Sequence, residues 1–368
     1  MNVPFLDLKA QLPQVREEIE QRFSRIIDNT AFVCRSEVQE FEERFAELHD
    51  VQYAVGLSSG TDGNHLAFLC CSIGEGYEVI LPVYTFIATA EGISHSKAAP
   101  VFVDVDEKTF NIDISKIEEK MTSRTKAINP VHLFGQPSDM NQIRKIAEKH
   151  NILVIEDSAQ AHCAEYRGKR VGGIGKVSSW SFYPGKNLGA WGEAGALTTN
   201  DEEIYRKALK LRDHGSEKKY YHDLIGFNYR MSEFQAAVLN VKMKYIEEWT
   251  EKRRLNAYRY NQRLSEIDSV IIPSVLDGVR HVYHLYVIRA RERDKLQAYL
   301  KENGIGTGLH YPFPLHLTGA YSHLGLKKGD FPMAEKLADE ILSLPMYAEL
   351  TEEQIDYVCE KIKDFYKK

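Results

Sequence analysis

The sequence predicts an α/β protein: a large domain on a mostly parallel sheet, followed by a smaller α+β domain. Three observations carry this. The chain has 368 residues, more than one hydrophobic core usually serves. From about residue 50 to 200, short β-branched apolar runs alternate with amphipathic ones, the pattern of strands feeding helices over a covered sheet. After about residue 230 the texture changes to a long charged amphipathic stretch, Met231 to Glu266, suited to joining two domains.

In order, Val51 to Leu57 reads as a strand and Gly63 to Cys71 as a helix. Glu78 to Pro82 is a strand, Thr85 to His95 a helix, and Pro100 to Val105 a strand. Ala127 to Leu133 is a strand, and Met140 to His150 a helix. Ile152 to Glu156, rich in Ile and Val, is a strand of the fully buried kind. Ser178 to Phe182 and Gly195 to Thr199 complete the sheet. Beyond the long stretch come a strand at Val282 to Arg289, a helix at Arg293 to Asn303, a short strand near Gly306 to His310 and C-terminal helices. The domains are placed at 1–245 and 246–368.

The formal net charge of −6 argues against nucleic acid as a partner, since such surfaces are strongly basic. It leaves room for one anionic small molecule in a locally basic pocket. No apolar run approaches the roughly 20 residues of a membrane helix. The first residues lack a basic stretch followed by an apolar one, so no signal peptide is read, and a cytoplasmic location is expected. Cys34, Cys70, Cys71, Cys163 and Cys359 fit no zinc spacing and are read as reduced thiols. No metal site is expected.

Three segments carry chemistry. In Ser181-Phe182-Tyr183-Pro184-Gly185-Lys186-Asn187 a lysine follows a strand, in a loop held by Pro and Gly and flanked by apolar residues. Such a setting lowers an amine's pKa, as nucleophilic attack on a carbonyl at neutral pH requires. In Ile152 to Gln160 the acidic pair Glu156-Asp157 ends a buried strand, where ligands of open α/β sheets bind. A carboxylate there pairs with a protonated pyridine nitrogen; equally, Asp157 or Ser158 reads as a helix N-cap. Ser58-Ser59-Gly60-Thr61-Asp62-Gly63 lies between a strand and a helix, where small residues and free amides suit a phosphate. It is neither a Walker loop nor G-x-G-x-x-G, which tells against a nicotinamide-dependent sugar oxidoreductase.

In this order the three segments resemble the fold-type-I aminotransferases, which use pyridoxal phosphate. More narrowly, the chain is similar to the sugar aminotransferases called DegT/DnrJ, nearly end to end. The likeness runs through Pro4 to Leu8, Ser59 to Asp62, Pro82 to Thr89, Val131 to Pro137, Glu156 to His162, Ser181 to Ala190, Asn228 to Arg230 and His310 to Pro312. The resemblance implies that Lys186 is the Schiff-base lysine and general acid/base. It implies that Asp157 faces the pyridine nitrogen and Gln160 the phenolic oxygen. Phe86 matches the aromatic that stacks on the ring, with core packing as its other reading. Ser59, Gly60, Thr61 and Ser181 match the phosphate site. Asn228 matches a residue reaching the neighbouring subunit's phosphate, which implies a homodimer with shared active sites. The chain departs from the family pattern at Cys34-Arg35 and Cys163, where Gly is usual, and at Gly63 and Tyr77, where Ala and Asp are common.

The stretch His310-Tyr311-Pro312 to His316 is similar to members that aminate the sugar 3-position, the nearest likeness being to those acting on dTDP-3-keto-6-deoxyhexoses. Tyr183, Asn187, His310, Tyr311 and His316 are the substrate candidates; a surface or metal-binding histidine cluster is the other reading. Arg230 is a candidate for a carboxylated substrate or a structural residue. The implied amino donor is glutamate, in a ping-pong reaction. The alternatives are a UDP-2-acetamido-3-keto sugar as acceptor, or a regulatory relative that binds the cofactor without catalysis. The presence of Lys186 tells against the latter, and also against dehydrating relatives, which carry His in its place.

Overall fold

The computed structural model describes residues 1–367. Seven strands form the central sheet: β1 (Tyr53–Leu57), β2 (Glu78–Pro82), β3 (Ala99–Val103), β4 (Thr125–Ile128), β5 (Leu153–Asp157), β6 (Val177–Ser181) and β7 (Gly195–Thr199). Their order is β1-β7-β6-β5-β4-β2-β3. Neighbours from β3 to β6 pair in parallel, while β7 runs antiparallel to both β6 and β1. Six strands therefore share one direction and β7 opposes them. Successive residues of a strand point to opposite faces. Ile80, Val154 and Trp180 accordingly enter one core, and Val79, Ile155 and Val177 the other.

The helices are α1 (Leu12–Asp28), α2 (Ser36–Leu48), α3 (Gly60–Cys70), α4 (Ala88–His95), α5 (Met140–His150), α6 (Glu202–Arg212), α7 (Glu233–Lys242), α8 (Ile246–Leu264), α9 (Arg293–Glu302), α10 (Pro332–Glu340) and α11 (Glu352–Lys367). Their starts are set by local chemistry. Ser59 caps α3 by accepting from the Asp62 amide, and Asp139 and Asp201 cap α5 and α6 in the same way. Glu233 caps α2 from a distance: its carboxylate accepts from the amides of Arg35, Glu37 and Val38.

A third core gathers Tyr260, Tyr286, Leu296, Leu344 and Ile355. It surrounds a small antiparallel sheet of β8 (Val270–Ile271), β9 (Tyr286–Ala290) and β10 (Ile341–Leu344). Val3 belongs to this core and bridges Ile305. The N-terminal residues thus pack with the C-terminal layer.

Other expectations change too. The stretch Met231 to Glu266 is two helices, α7 and α8, separated by tight turns in which Lys244 and Tyr245 donate to Val241 and Lys242. No Gly or Pro stands there, so the break is tertiary: α7 is buried along most of its length against α1 and α2, whereas α8 turns away to pack on α11. The strand expected near Gly306 to His310 reduces to one bridge, Gly308 to Ser343. Two of the family departures have a backbone meaning. Cys34 and Cys163 adopt φ of 47° and 64°, the left-handed region that favours glycine. All five cysteines are unpaired.

Candidate active site

The carboxyl ends of β1, β2, β5 and β6 lie on one edge of the sheet, and the residues that follow them meet there. Strand alternation divides the acidic pair that ends β5. Glu156 is fully buried and accepts from His132 Nε2 at 3.0 Å and from the amides of Gly172, Ile174 and Gly175. Burial alone would raise its pKa, but these donors hold it below the usual value. The Ser138 amide donates to His132 Nδ1 at 3.1 Å, so the ring proton is on Nε2, facing Glu156. This carboxylate is architectural.

Asp157 points the other way. Its Oδ2 accepts from Asn64 at 3.2 Å and Thr89 at 2.8 Å, and its Oδ1 from the Ala159 amide at 3.1 Å. Thr89 donates to Asp157 and therefore accepts from Thr85, 3.1 Å away. Asn64 is itself held by the Ser179 hydroxyl at 2.6 Å. Donors from α3, α4 and the β5 turn thus fix the orientation of one carboxylate, while Oδ1 keeps accepting capacity.

Lys186 rides on a closed loop. The Ala190 amide returns to the Phe182 carbonyl at 2.8 Å, and the Lys186 amide to Tyr183 at 2.8 Å. The half-buried side chain makes no hydrogen bond or ion pair among the described residues. Burial lowers its pKa from 10.5 to about 8, with Asp157 opposing. Its field reaches His162, His284 and His310. Burial, assisted by Lys186, pushes His310 down to about 4, and burial holds His162 and His284 well below the ordinary histidine value. An amine of this pKa among neutral imidazoles is a poised nucleophile.

The phosphate-binding expectation also has geometry behind it. A Cβ on Gly60 would stand 2.6 Å from the Ser181 Cβ, so only glycine lets the start of α3 approach β6 this closely. The Gly60 and Thr61 amides at this helix start form no hydrogen bond among the described residues. That N-terminus, with Ser181 beside it, suits a phosphate. Phe86 is 53% exposed, which removes the core-packing reading, and its ring lies 5.7 Å from that of Tyr311. A ring held between Asp157 and Lys186, with a phosphate at α3, fits these residues.

Gln160 is spanned by two partners: its Oε1 accepts from the Phe134 amide at 2.7 Å, and its Nε2 donates to the Tyr311 hydroxyl at 3.0 Å. Tyr311 is anchored through its backbone, since Tyr84 Oη donates to its carbonyl at 2.6 Å and accepts from its amide at 2.7 Å. His310 shares a hydrogen bond of 2.9 Å with Ser343 and stacks on Phe5. Tyr183 is 55% exposed.

Other candidates lie elsewhere. His316 is buried, its Nε2 3.0 Å from Glu335 and its ring against Phe331; the structure withdraws it from the substrate set. Asn187 is buried and donates to the Val282 carbonyl, while its Oδ1 meets His284. Its amide is occupied in joining two chain segments, so it too leaves the substrate set. Arg230 is ion-paired with Asp213, the structural alternative. Asn228 is exposed and bridges Asp213 through its backbone. Four neighbours of the site escaped the sequence: Asn64, Thr89, His162 and His284. Thr89 and His162 lie inside motifs noted there, so those motifs held the signal. Asn64, one turn into α3, and His284 had none.

An amine and a carboxylate facing each other at the strand ends, beside a glycine-lined helix start, define the class: a pyridoxal-phosphate-dependent aminotransferase. The chain belongs to the DegT/DnrJ/EryC1/StrS aminotransferase family, whose model matches residues 13–363. It is 47% identical to the "Pleiotropic regulatory protein" of Geobacillus stearothermophilus, over 100% of this chain and 99% of that one. It is 43% identical to the dTDP-3-amino-3,6-dideoxy-alpha-D-galactopyranose transaminase of Aneurinibacillus thermoaerophilus, over 99% of each chain. The crystal structure of S. venezuelae DesV in complex with ketimine intermediate superposes with a TM-score of 0.98 at 38% identity, covering 100% of this chain and 99% of that one. No helix among the described residues is long and apolar enough to cross a membrane.

Proposed function

We propose that this aminotransferase moves an amino group from glutamate to the 3-keto position of a dTDP-linked 6-deoxyhexose, with Lys186 as the reacting lysine. The observation that carries the reading is Lys186 itself, an amine without a partner, its pKa lowered to about 8, facing Asp157. The 43% identity to a dTDP-3-amino-sugar transaminase supports the acceptor.

Pyridoxal phosphate, when bound, supplies the carbonyl that exchanges amino groups and an electron-withdrawing ring. The residues do the rest. The α3 amides, Ser59, Thr61 and Ser181 would hold the phosphate. Asp157, fixed by Asn64 and Thr89, would pair with the ring nitrogen. Phe86 would stack on the ring, and Gln160 would serve the phenolic oxygen. Lys186 Nζ would hold the cofactor and, as a free amine, would take up and return a proton as general acid/base. Glutamate leaves as its 2-keto acid. The sugar ketone then receives the amino group and loses its oxygen as water. Tyr183, His310 and Tyr311 line the side from which the sugar approaches.

The active form is a homodimer with shared sites. In support, Trp191 stays partly exposed beside Phe23 of α1, and Ile225 is 94% exposed close to Asn228. The second reading, a cofactor-binding regulator, is favoured by the 47% identity to a pleiotropic regulatory protein.

The test is the absorbance of the purified protein with pyridoxal phosphate, first alone, then with glutamate, then with keto-sugar nucleotides. The expected result is a lysine-linked cofactor band, lost with glutamate and restored by a dTDP-3-keto sugar. Restoration by a UDP-2-acetamido-3-keto sugar instead would move the acceptor. A band indifferent to every amino donor would replace the enzyme reading with the regulator.

A further inference from the structure

Lys242, in the last turn of α7, is a buried lysine that the reaction above does not use. It is 3% exposed, and its Nζ donates to the Gly189 carbonyl at 2.7 Å. Gly189 lies three residues beyond Lys186, at the base of the same loop. The loop is tightly curled there: a side chain at Gly189 would collide with the Pro184 carbonyl. The Gly189 peptide is thus fixed by its own loop on one side and by the ammonium on the other.

One carbonyl does not offset the desolvation of an ammonium: burial lowers the Lys242 pKa from 10.5 to about 8, and Glu349, whose own carboxyl burial pushes up, opposes this only in part. Its carboxylate lies in the electrostatic field of both Lys242 and Arg253. Its two oxygens are buried without a well-formed hydrogen bond among the described residues, with Gln11 and its own amide nearby. Arg253, from α8, donates to the carbonyls of Tyr283, His284 and Met346, and His284 faces Lys186 and Asn187. The charges therefore sit where the Lys186 loop meets the C-terminal layer.

We propose that Lys242 is a positioning residue: by pinning the Gly189 carbonyl it sets where Lys186 Nζ stands relative to Asp157, with Glu349 as its countercharge. This rests on Lys186 being the reacting lysine. A lysine that merely neutralised Glu349 would be dispensable once that carboxylate were removed.

The holoenzyme variants Lys242→Met, Glu349→Gln and the double variant separate the two roles. Melting temperature reports stability. The rate with glutamate and the pH midpoint of the cofactor band report the position of Lys186. Lys242→Met is expected to melt earlier, to lose roughly 10- to 100-fold in kcat with KM little changed, and to shift the midpoint. In the double variant stability is expected to return, while rate and midpoint do not. A wild-type rate and midpoint in Lys242→Met, or a rate that returns with stability in the double variant, would overturn the inference and leave the role of Lys186 intact. A wild-type enzyme without a lysine-linked band would instead remove that role, and this inference with it.

Discussion

The two walls of the cleft are built differently. On the large-domain wall, Asp157 is held by Asn64, Thr89 and the Ala159 amide, and Gly60 packs against Ser181 with no room for a methyl group. On the C-terminal wall, His310 has one hydrogen bond, to Ser343. The Tyr311 hydroxyl meets Gln160, a residue of the opposite wall. The first wall is braced from within its own domain; the second is tied across the cleft. The wall proposed to hold the cofactor has little freedom to change, whereas the wall proposed to meet the acceptor sugar depends on a few side chains. On that proposal chemistry and acceptor choice are separable.

The largest expected effect falls on the braced wall. Lys186→Ala should lower turnover by at least roughly 10²–10⁴-fold, the usual contribution of a positioned acid/base, with the protein still folded; a rate within tenfold of wild type would break the comparison. Because burial lowers the Lys186 pKa to about 8, the amine is protonated below that pH and free above it. Capture of pyridoxal phosphate by the apoenzyme, followed by stopped-flow absorbance, should therefore speed up as pH rises towards about 8 and level off beyond.

A smaller effect is expected on the other wall. Tyr311→Phe removes one hydrogen bond, worth about 0.5–1.5 kcal/mol, so the half-reaction with the keto sugar should slow by roughly 2- to 12-fold while that with glutamate is unchanged. Equal losses in both would show the walls to be one unit. His316→Ala should leave both half-reactions alone and reduce stability by about 1–3 kcal/mol, because Glu335 loses the donor that His316 provides; thermal unfolding and single-turnover rates together check this. Loss of acceptor turnover in that variant would return His316 to the pocket.

What the sequence disclosed follows the same division. The Lys186 loop, the acidic end of β5 and the small-residue start of α3 are each local: a strand run, then a turn with its own chemistry. The partners that make them a site are not local. Asn64 and Thr89 reach Asp157 because β1, β2 and β5 end on one edge, which pairing order rather than composition decides. His284 reaches Lys186 because the chain returns from the C-terminal layer. His316 looked like Tyr311 in a string of polar and aromatic residues, and only its burial against Glu335 on α10 separates them. The break between α7 and α8 has no residue signature, since packing alone makes it.

The division of labour between Glu156 and Asp157 has a consequence for how this chain tolerates change. Their roles depend on which face each presents, and a one-residue slip of β5 would turn each side chain to the opposite face. Glu156 would then leave the amides of Gly172, Ile174 and Gly175 without their acceptor, and Asp157 would turn away from Asn64 and Thr89. Within β5, then, length matters more than identity: side chains can be exchanged for others of like volume, but a single inserted or deleted residue is a double loss, of architecture and of chemistry at once.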